Sequence, residues 1–440
     1  MCIYKYFCTF APNLMSSKPQ NRLQNELLRH SAQLLSANVF AQAVGLLVYP
    51  LLTRIYTPDD FALLSLFTSI VGVAVLLGNA EYHYAIVLPQ EESKARALVG
   101  LSTMLTLTVT AVLLLSVPFA GSVAELFKAP ELARWWWGIP VCVLVMGMWN
   151  ILSYWYIRRK AFTRISGYQV SQSVLSATGK IGFGAMGWLH GGQILATIIA
   201  PFLSLMISVG LAWKKHVREL FVFRYENVRS VAREYADFPK FNLPRAFVNS
   251  LGLSLPIWLL TPQYGLDQVG RLSLAIMASF LPLNIISRAC YQVLYQRVSE
   301  MVQNRQRLHS VLRSFVLRMG GLTIFGLAAI YWFLPQLVTF LFGAEWLETA
   351  EIIRRLYPYL VLTPVCGSIC FLSDVFAKQQ TAMWMEVGYV AAIALALIAG
   401  IEYSDFAGTI SLFAVTRFVF LTIQLFWFGT LVRSYHKTLS

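Results

Sequence analysis

Three bases stand inside long apolar runs: Lys180, Arg288 and Arg417. An ion near the centre of a bilayer costs at least ~2.5–3.5 kcal/mol, so each must face protein or water and meet a counter-charge. Lys180 and Arg417 fall near the middle of their runs. Arg288 lies about nine residues from the end of its run, roughly 13 Å along a helix, so snorkelling could bring its charge to an interface. The chemistry that suits such groups is anion binding, because phosphate-type oxygens accept a bidentate pair from Arg and a point contact from Lys. The competing reading is internal ion pairing with Glu386 or Asp374. Glu386 is the only carboxylate well inside a run. That position makes it a candidate coupling carboxylate, with a structural pair for Lys180 or Arg417 as the alternative. Glu81, His83 and Asp374 fall at helix ends, where the expectation is ordinary solvated side chains.

Other chemistries lack their residues. Gly179-Lys180 is not a phosphate-binding loop, since the earlier Gly and the following Ser or Thr are missing. The histidines at 30, 83, 190, 216, 309 and 436 are scattered, and no loop offers a Ser-His-Asp set. The cysteines at 2, 8, 142, 290, 366 and 370 have no disulfide or zinc spacing. Cys366 and Cys370 share a helix face and read as small packing residues. No catalytic residue, metal site or cofactor is therefore expected, and the protein reads as a non-enzyme driven by a gradient, a partner or downhill flux.

The elements that must position these bases are membrane spans. Of 440 residues, 57% are hydrophobic and 13% charged, against about 45–50% and about 25% in soluble chains. Twelve spans of ~20 residues would use ~240 residues and leave loops too short for a globular domain. This excludes soluble enzymes, nucleic-acid binders and secreted disulfide scaffolds. The apolar runs predict helices near 32–53, 61–80, 97–117, 136–156, 165–188, 193–213, 244–262, 269–296, 314–334, 356–376, 381–400 and 408–431. The net charge of +14 has its explanation in loop asymmetry rather than in nucleic acid. One set of loops, with both tails and the helix ends, carries 26 Lys and Arg, and the alternate loops carry 6. That split predicts cytoplasmic termini. Met1–Leu14 reads as an extension ahead of a natural start at Met15.

The chain repeats at an offset of 208 residues: Leu51–Leu66 matches Leu259–Leu274 at 8 of 16 positions, Thr53/Thr261, Tyr56/Tyr264 and Asp59/Asp267 among them. A weaker echo pairs Leu126-Phe127-x-Ala129 with Leu341-Phe342-x-Ala344. An offset of six spans keeps both halves in one orientation, a parallel repeat. The expected organisation is an N-terminal tail (1–30), a first lobe (31–213), a cytoplasmic amphipathic linker (214–240), a second lobe (241–432) and a tail (433–440). In the linker, Val228, Val231, Tyr235 and Phe238 recur at helical spacing, which predicts a helix lying on a membrane leaflet, with an ordinary basic linker as the alternative. Pro50 and Pro256 interrupt the first helix of each half and are candidate hinges; plain packing kinks are the alternative. Gly179, Gly182, Gly184, Gly187 and Gly191 predict close helix packing.

Several segments resemble bacterial polysaccharide flippases. They are Leu34–Tyr56 followed by Thr57-Pro58-Asp59-Asp60-Phe61, Glu81-Tyr82-His83-Tyr84-Ala85-Ile86-Val87-Leu88-Pro89, and Leu341-Phe342-Gly343-x-Glu345-Trp346. The chain is similar over about residues 31–430 to the Wzx-type flippases of lipid-linked oligosaccharides, within the superfamily that also holds the MATE extruders. The resemblance implies an all-α polytopic fold of about twelve transmembrane helices in two six-helix lobes forming a V. It implies alternating access and a cargo of undecaprenyl-diphosphate-linked sugar repeat units, flipped from the cytoplasmic to the periplasmic leaflet of a bacterial inner membrane. The end product would be O-antigen, lipopolysaccharide, capsule or exopolysaccharide. The partners it implies are the anionic lipid-linked oligosaccharide, the lipid bilayer, and a polysaccharide polymerase and chain-length regulator. In that frame Lys180, Arg288 and Arg417 are expected to line a cationic cavity for the diphosphate. Two rivals stay open: a multidrug extruder, although residues 32–53 hold no carboxylate of the kind the proton-coupled extruders use, and a membrane glycan polymerase or glycosyltransferase, which would need a longer external loop.

Overall fold

A computed structural model describes residues 20–213 and 225–437; the expectations on Met1–Leu14, the first part of the linker and the last residues lie outside them. Every secondary-structure element among the described residues is helical. The first part of the chain forms α1 (Gln20–Leu52), α2 (Pro58–Asn79), a short turn of helix (Tyr82–Val87), α3 (Glu92–Leu115), α4 (Ala120–Leu126) and α5 (Glu131–Trp135). It continues with α6 (Gly138–Arg158), α7 (Phe162–Ala185), α8 (Gly192–Ala212) and α9 (Tyr225–Glu234). The second part forms α10 (Leu243–Gln303), α11 (His309–Tyr331), α12 (Leu334–Phe342), α13 (Leu347–Ile369), α14 (Leu372–Val375), α15 (Gln379–Tyr403) and α16 (Phe406–Lys437). Nine helices among the described residues are long and apolar enough to cross a membrane. Each of the twelve expected spans falls on a helix. Spans seven and eight run together in α10, interrupted only at Gly265, whose φ of 81° breaks the helical path.

Local sequence explains several ends. Pro58 opens α2 with Asp59 and Asp60 in its first turn, where a fixed φ and negative charge suit a helix N-terminus. The Asp60 carboxylate accepts from the Thr57 backbone N–H and hydroxyl, both at 3.0 Å. Gly191 precedes α8 at φ 115°, and its missing Cβ leaves room for the Trp135 ring. Both conditions require glycine. Gly179 meets Ala196, and Gly184 meets Ile55 and Tyr56, so these members of the glycine series allow the close approach expected of them. Gly182 and Gly187 face open space.

Two compact units emerge. One holds the described residues up to Tyr56 and those from Leu63 to Ser254; the other holds Thr57–Ala62 with the described residues from Leu255 onward. The first unit has a core built on Ile86, Leu98, Ile151, Trp155 and Tyr156. The linker stripe joins it: Val228, Val231, Tyr235 and Phe238 are 5%, 1%, 5% and 1% exposed. This corrects the expectation of a helix on a membrane leaflet. Periodicity identified the apolar face, but the face is covered by protein, because α9 packs on α3 and Lys94 of α3 pairs with Glu234 at 2.9 Å. In the second unit Leu294, Val298, Leu308, Phe371 and Phe428 form a core.

The repeated segments bury several of the same positions. Leu52 and Leu260 are 2% and 0% exposed, Thr53 and Thr261 are 4% and 1%, and Leu66 and Leu274 are both 0%. Each repeated tyrosine ties its segment to a later helix of its own unit. Tyr56 bonds the Lys180 carbonyl at 2.7 Å. Tyr264 bonds the Thr409 hydroxyl at 2.8 Å.

Candidate functional site

The first unit contains a cavity of about 440 Å³ between α1, α6 and α7, within the usual range for small-molecule sites. Lys180 lies at its wall. From α7 the lining side chains are Tyr168, Gln169, Gln172, Ser173, Ser176, Ala177 and Lys180. Their steps of three and four place them on one helix face. Asn38, Gly45 and Tyr49 of α1 and Trp149 of α6 close the other walls. Ser173 donates to the Ala41 carbonyl at 2.9 Å, which fixes α7 against α1. Trp149 and Tyr168 stack with centroids 3.4 Å apart and planes within 7°.

The chemistry of this wall is specific. No lining residue is acidic, and Lys180 makes no ion pair among the described residues. The Gln169 side-chain oxygen is buried without a partner among the described residues. A cation, amide groups, hydroxyls and a stacked aromatic pair can together bind an anionic, hydroxyl-rich molecule: the cation meets the anion, the amides meet hydroxyls, and flat rings meet the apolar faces of sugar rings. Sequence reasoning singled out Lys180 and missed Asn38, Trp149, Tyr168, Gln169, Gln172, Ser173 and Ser176. The signal was present, since a polar stripe on α7 runs at helical spacing down to Lys180.

The other bases have different surroundings. Arg417 of α16 is caged by rings, its guanidinium carbon 4.0 Å from the Tyr389 centroid, 5.3 Å from Tyr359 and 5.8 Å from Phe420, the geometry of cation–π attraction. Asp374 is half-buried on α14. Arg288 is exposed on α10. The Lys180 cavity contains neither arginine; Lys180 belongs to the first unit, and Arg288, Arg417 and Glu386 to the second. Pro50 sits inside α1, and Pro256 inside the part of α10 that precedes the break at Gly265.

Glu81 and His83 are not solvated, which corrects the expectation for this helix end. They are 4% and 5% exposed. Ala80 and Glu81 both adopt left-handed backbone, at φ 44° and 63°, and this turns the chain inward instead of out to solvent. Burial pushes the Glu81 carboxyl up to about 7 and the His83 imidazole down to about 4.

With nine long apolar helices among the described residues, the chain is a multi-pass membrane protein, and its fold is that of the MATE-type transporters. It matches an inward-facing multidrug resistance MATE family transporter of the MOP superfamily at a TM-score of 0.66 and 16% identity, covering 92% of this chain and 96% of that one. It matches the lipid II flippase MurJ in an inward closed conformation at a TM-score of 0.70 and 12% identity, covering 94% and 91%. A family described as polysaccharide biosynthesis protein matches residues 51–351, and the chain belongs to that family. A curated relative is the succinoglycan biosynthesis transport protein ExoT of Rhizobium meliloti (strain 1021), 23% identical over 348 residues, 78% of this chain and 68% of that protein.

Proposed function

We propose that this protein is a flippase for undecaprenyl-diphosphate-linked oligosaccharide repeat units, working by alternating access in a bacterial inner membrane with both termini in the cytoplasm. It carries its cargo from the cytoplasmic to the periplasmic leaflet for a surface polysaccharide such as O-antigen, capsule or exopolysaccharide. The observation that carries this reading is the un-neutralised Lys180 in a cavity of amides, hydroxyls and stacked rings, in a member of a polysaccharide biosynthesis family. A purely apolar drug would not call for that lining. Lys180 contacts a diphosphate as a point charge; within the second unit Arg288 and Arg417 are the further candidate bases and Glu386 the candidate coupling carboxylate, and Pro50 and Pro256 are candidate hinges. The polysaccharide polymerase and chain-length regulator act on the delivered unit.

The test is complementation of surface polysaccharide in a flippase-null strain, with protein level checked by blot. Lys180→Gln is expected to cut export roughly 10-fold or more, the scale of one charge-assisted hydrogen bond, and Lys180→Arg to retain more. Wild-type export from Lys180→Gln at equal protein level overturns the site. Export of dyes or drugs without restoration of polysaccharide favours the multidrug extruder instead.

A further inference from the structure

The buried turn after α2 holds a carboxyl that the transport reading does not use. Glu81 is 4% exposed, and its carboxylate has no hydrogen-bond donor or ion-pair partner among the described residues. Two rings of the same turn and one from α6 pack on one another. His83 and Tyr84 have centroids 4.3 Å apart, His83 and Tyr154 5.2 Å, and Tyr84 and Tyr154 4.9 Å. The His83 Nδ1 is buried without a partner among the described residues. Tyr84 is 37% exposed and gives the cluster an opening to water.

We propose that Glu81 is a reversible proton-binding site, and that its neutral form is the one that seats the Tyr82–Val87 turn against α3, α6 and α9. A carboxylate taken out of water without a donor is costly, and accepting a proton removes that cost. The proton comes from water past Tyr84 and returns the same way, so the step is simple protonation of one carboxyl oxygen. The surrounding bases are committed elsewhere. Arg158 of α6 donates to the Pro89 and Ile86 carbonyls at 2.5 and 3.4 Å. Arg159 and Arg96 pair with Glu92 at 2.6 and 3.8 Å, and Lys94 pairs with Glu234. Arg229 and Arg233 lie on the exposed face of α9. On the turn and on α6, the groups in electrostatic reach of Glu81 are the Tyr84 and Tyr154 phenols, neutral across the working range. His83, pushed down to about 4, is neutral when Glu81 titrates and forms no ion pair with it.

The turn is mechanically connected. Tyr82 donates from its hydroxyl to the Ala232 carbonyl of α9 at 3.0 Å, and Ala85 and Ile86 are fully buried in the core that holds Val231 and Phe238. A charge appearing at Glu81 therefore loosens α9 as well as the turn.

The experiment uses the full chain in lipid nanodiscs. An infrared pH titration follows the protonated carboxyl stretch in wild type and in Glu81→Gln, an isosteric neutral variant that preserves the seat. A wild-type band with a midpoint near pH 7, the pKa of about 7 set by burial, and absent from Glu81→Gln, is the expected result. A band that persists in Glu81→Gln, or titrates only near the ordinary carboxylate value of about 4.3, overturns the site. Hydrogen exchange of Tyr225–Glu234, corrected for intrinsic rate, is expected to quicken several-fold between about pH 6 and about pH 8 in wild type. In Glu81→Gln it stays slow at both. Exchange that is equally pH-sensitive in both proteins overturns the link to α9.

Discussion

The Tyr56 hydroxyl donates to the main-chain carbonyl of Lys180 across 2.7 Å. A residue of the repeated segment after α1 thus fixes the point on α7 from which the cavity's cation, Lys180, projects. Gly184, one turn further along α7, has no side chain to collide with Ile55 and the Tyr56 ring, so the hydrogen bond and the close packing depend on each other. Tyr56→Phe keeps the ring and removes the bond. The expected cost is about 0.5–1.5 kcal/mol, seen as a lower melting temperature in detergent. Export should fall less than with Lys180→Gln, because the ammonium group remains. A Tyr56→Phe protein as stable as wild type would show that water replaces the hydroxyl.

Gly191→Ala meets two obstacles, the left-handed φ of 115° and the Trp135 ring where a Cβ would stand. Together these cost roughly 2–4 kcal/mol. In a Trp135→Ala background the steric part disappears and the backbone part stays, so the penalty should shrink. An unchanged penalty in that background would contradict the packing described.

The seat of α9 can be tested by charge. Val231 is 1% exposed, and Val231→Asp places an unpaired carboxylate in the core at a cost of several kcal/mol. The adjacent, exposed Ser230→Asp should change stability by no more than about 0.5 kcal/mol. Limited proteolysis near α9 reads the difference, and equal resistance of the two variants would place the stripe on lipid after all.

Glu81 and His83 give stability opposite pH slopes. The raised Glu81 pKa means that the folded protein binds more protons than the unfolded chain between 4.5 and about 7, so stability falls as pH rises through that window. The lowered His83 pKa makes the unfolded chain bind more protons between about 4 and 6.5, so stability falls as pH drops through it. In Glu81→Gln the His83 slope is left alone and should reach up to about 3 kcal/mol. Melting temperatures of Glu81→Gln against Glu81→Gln/His83→Gln measure it. Parallel curves would remove His83 from the account.

The stacked pair at the cavity wall predicts a shape requirement. Trp149→Ala should lower polysaccharide export by roughly 10-fold, and Trp149→Phe should retain most of it, since a flat ring is what stacking uses. Protein level by blot separates this from misfolding. Export unaffected by Trp149→Ala would confine binding to Lys180 and the amides.

The sequence by itself determined that this chain crosses a membrane many times as helices. Lipid offers no partner for backbone N–H and C=O groups, so apolar runs of span length must satisfy their hydrogen bonds internally. It also determined that Lys180 lies deep in a span, because its depth in an apolar run follows from counting along the chain, and it displayed the polar face of α7 at helical spacing. Tertiary structure alone decided which base stands in a cavity. Lys180 meets Asn38 and Trp149, while Arg417 meets Tyr359 and Tyr389, pairings between residues far apart in sequence. It also decided that the stripe of α9 is covered by Ile86 and Trp155 rather than lipid, since periodicity gives a helix an apolar face and says nothing of what covers it. Glu81 is the clearest case: a carboxylate at a helix end reads as solvated until two left-handed residues turn it into the core, and that turn is written in backbone angles which the sequence there, Ala80-Glu81 with no glycine, gives no sign of.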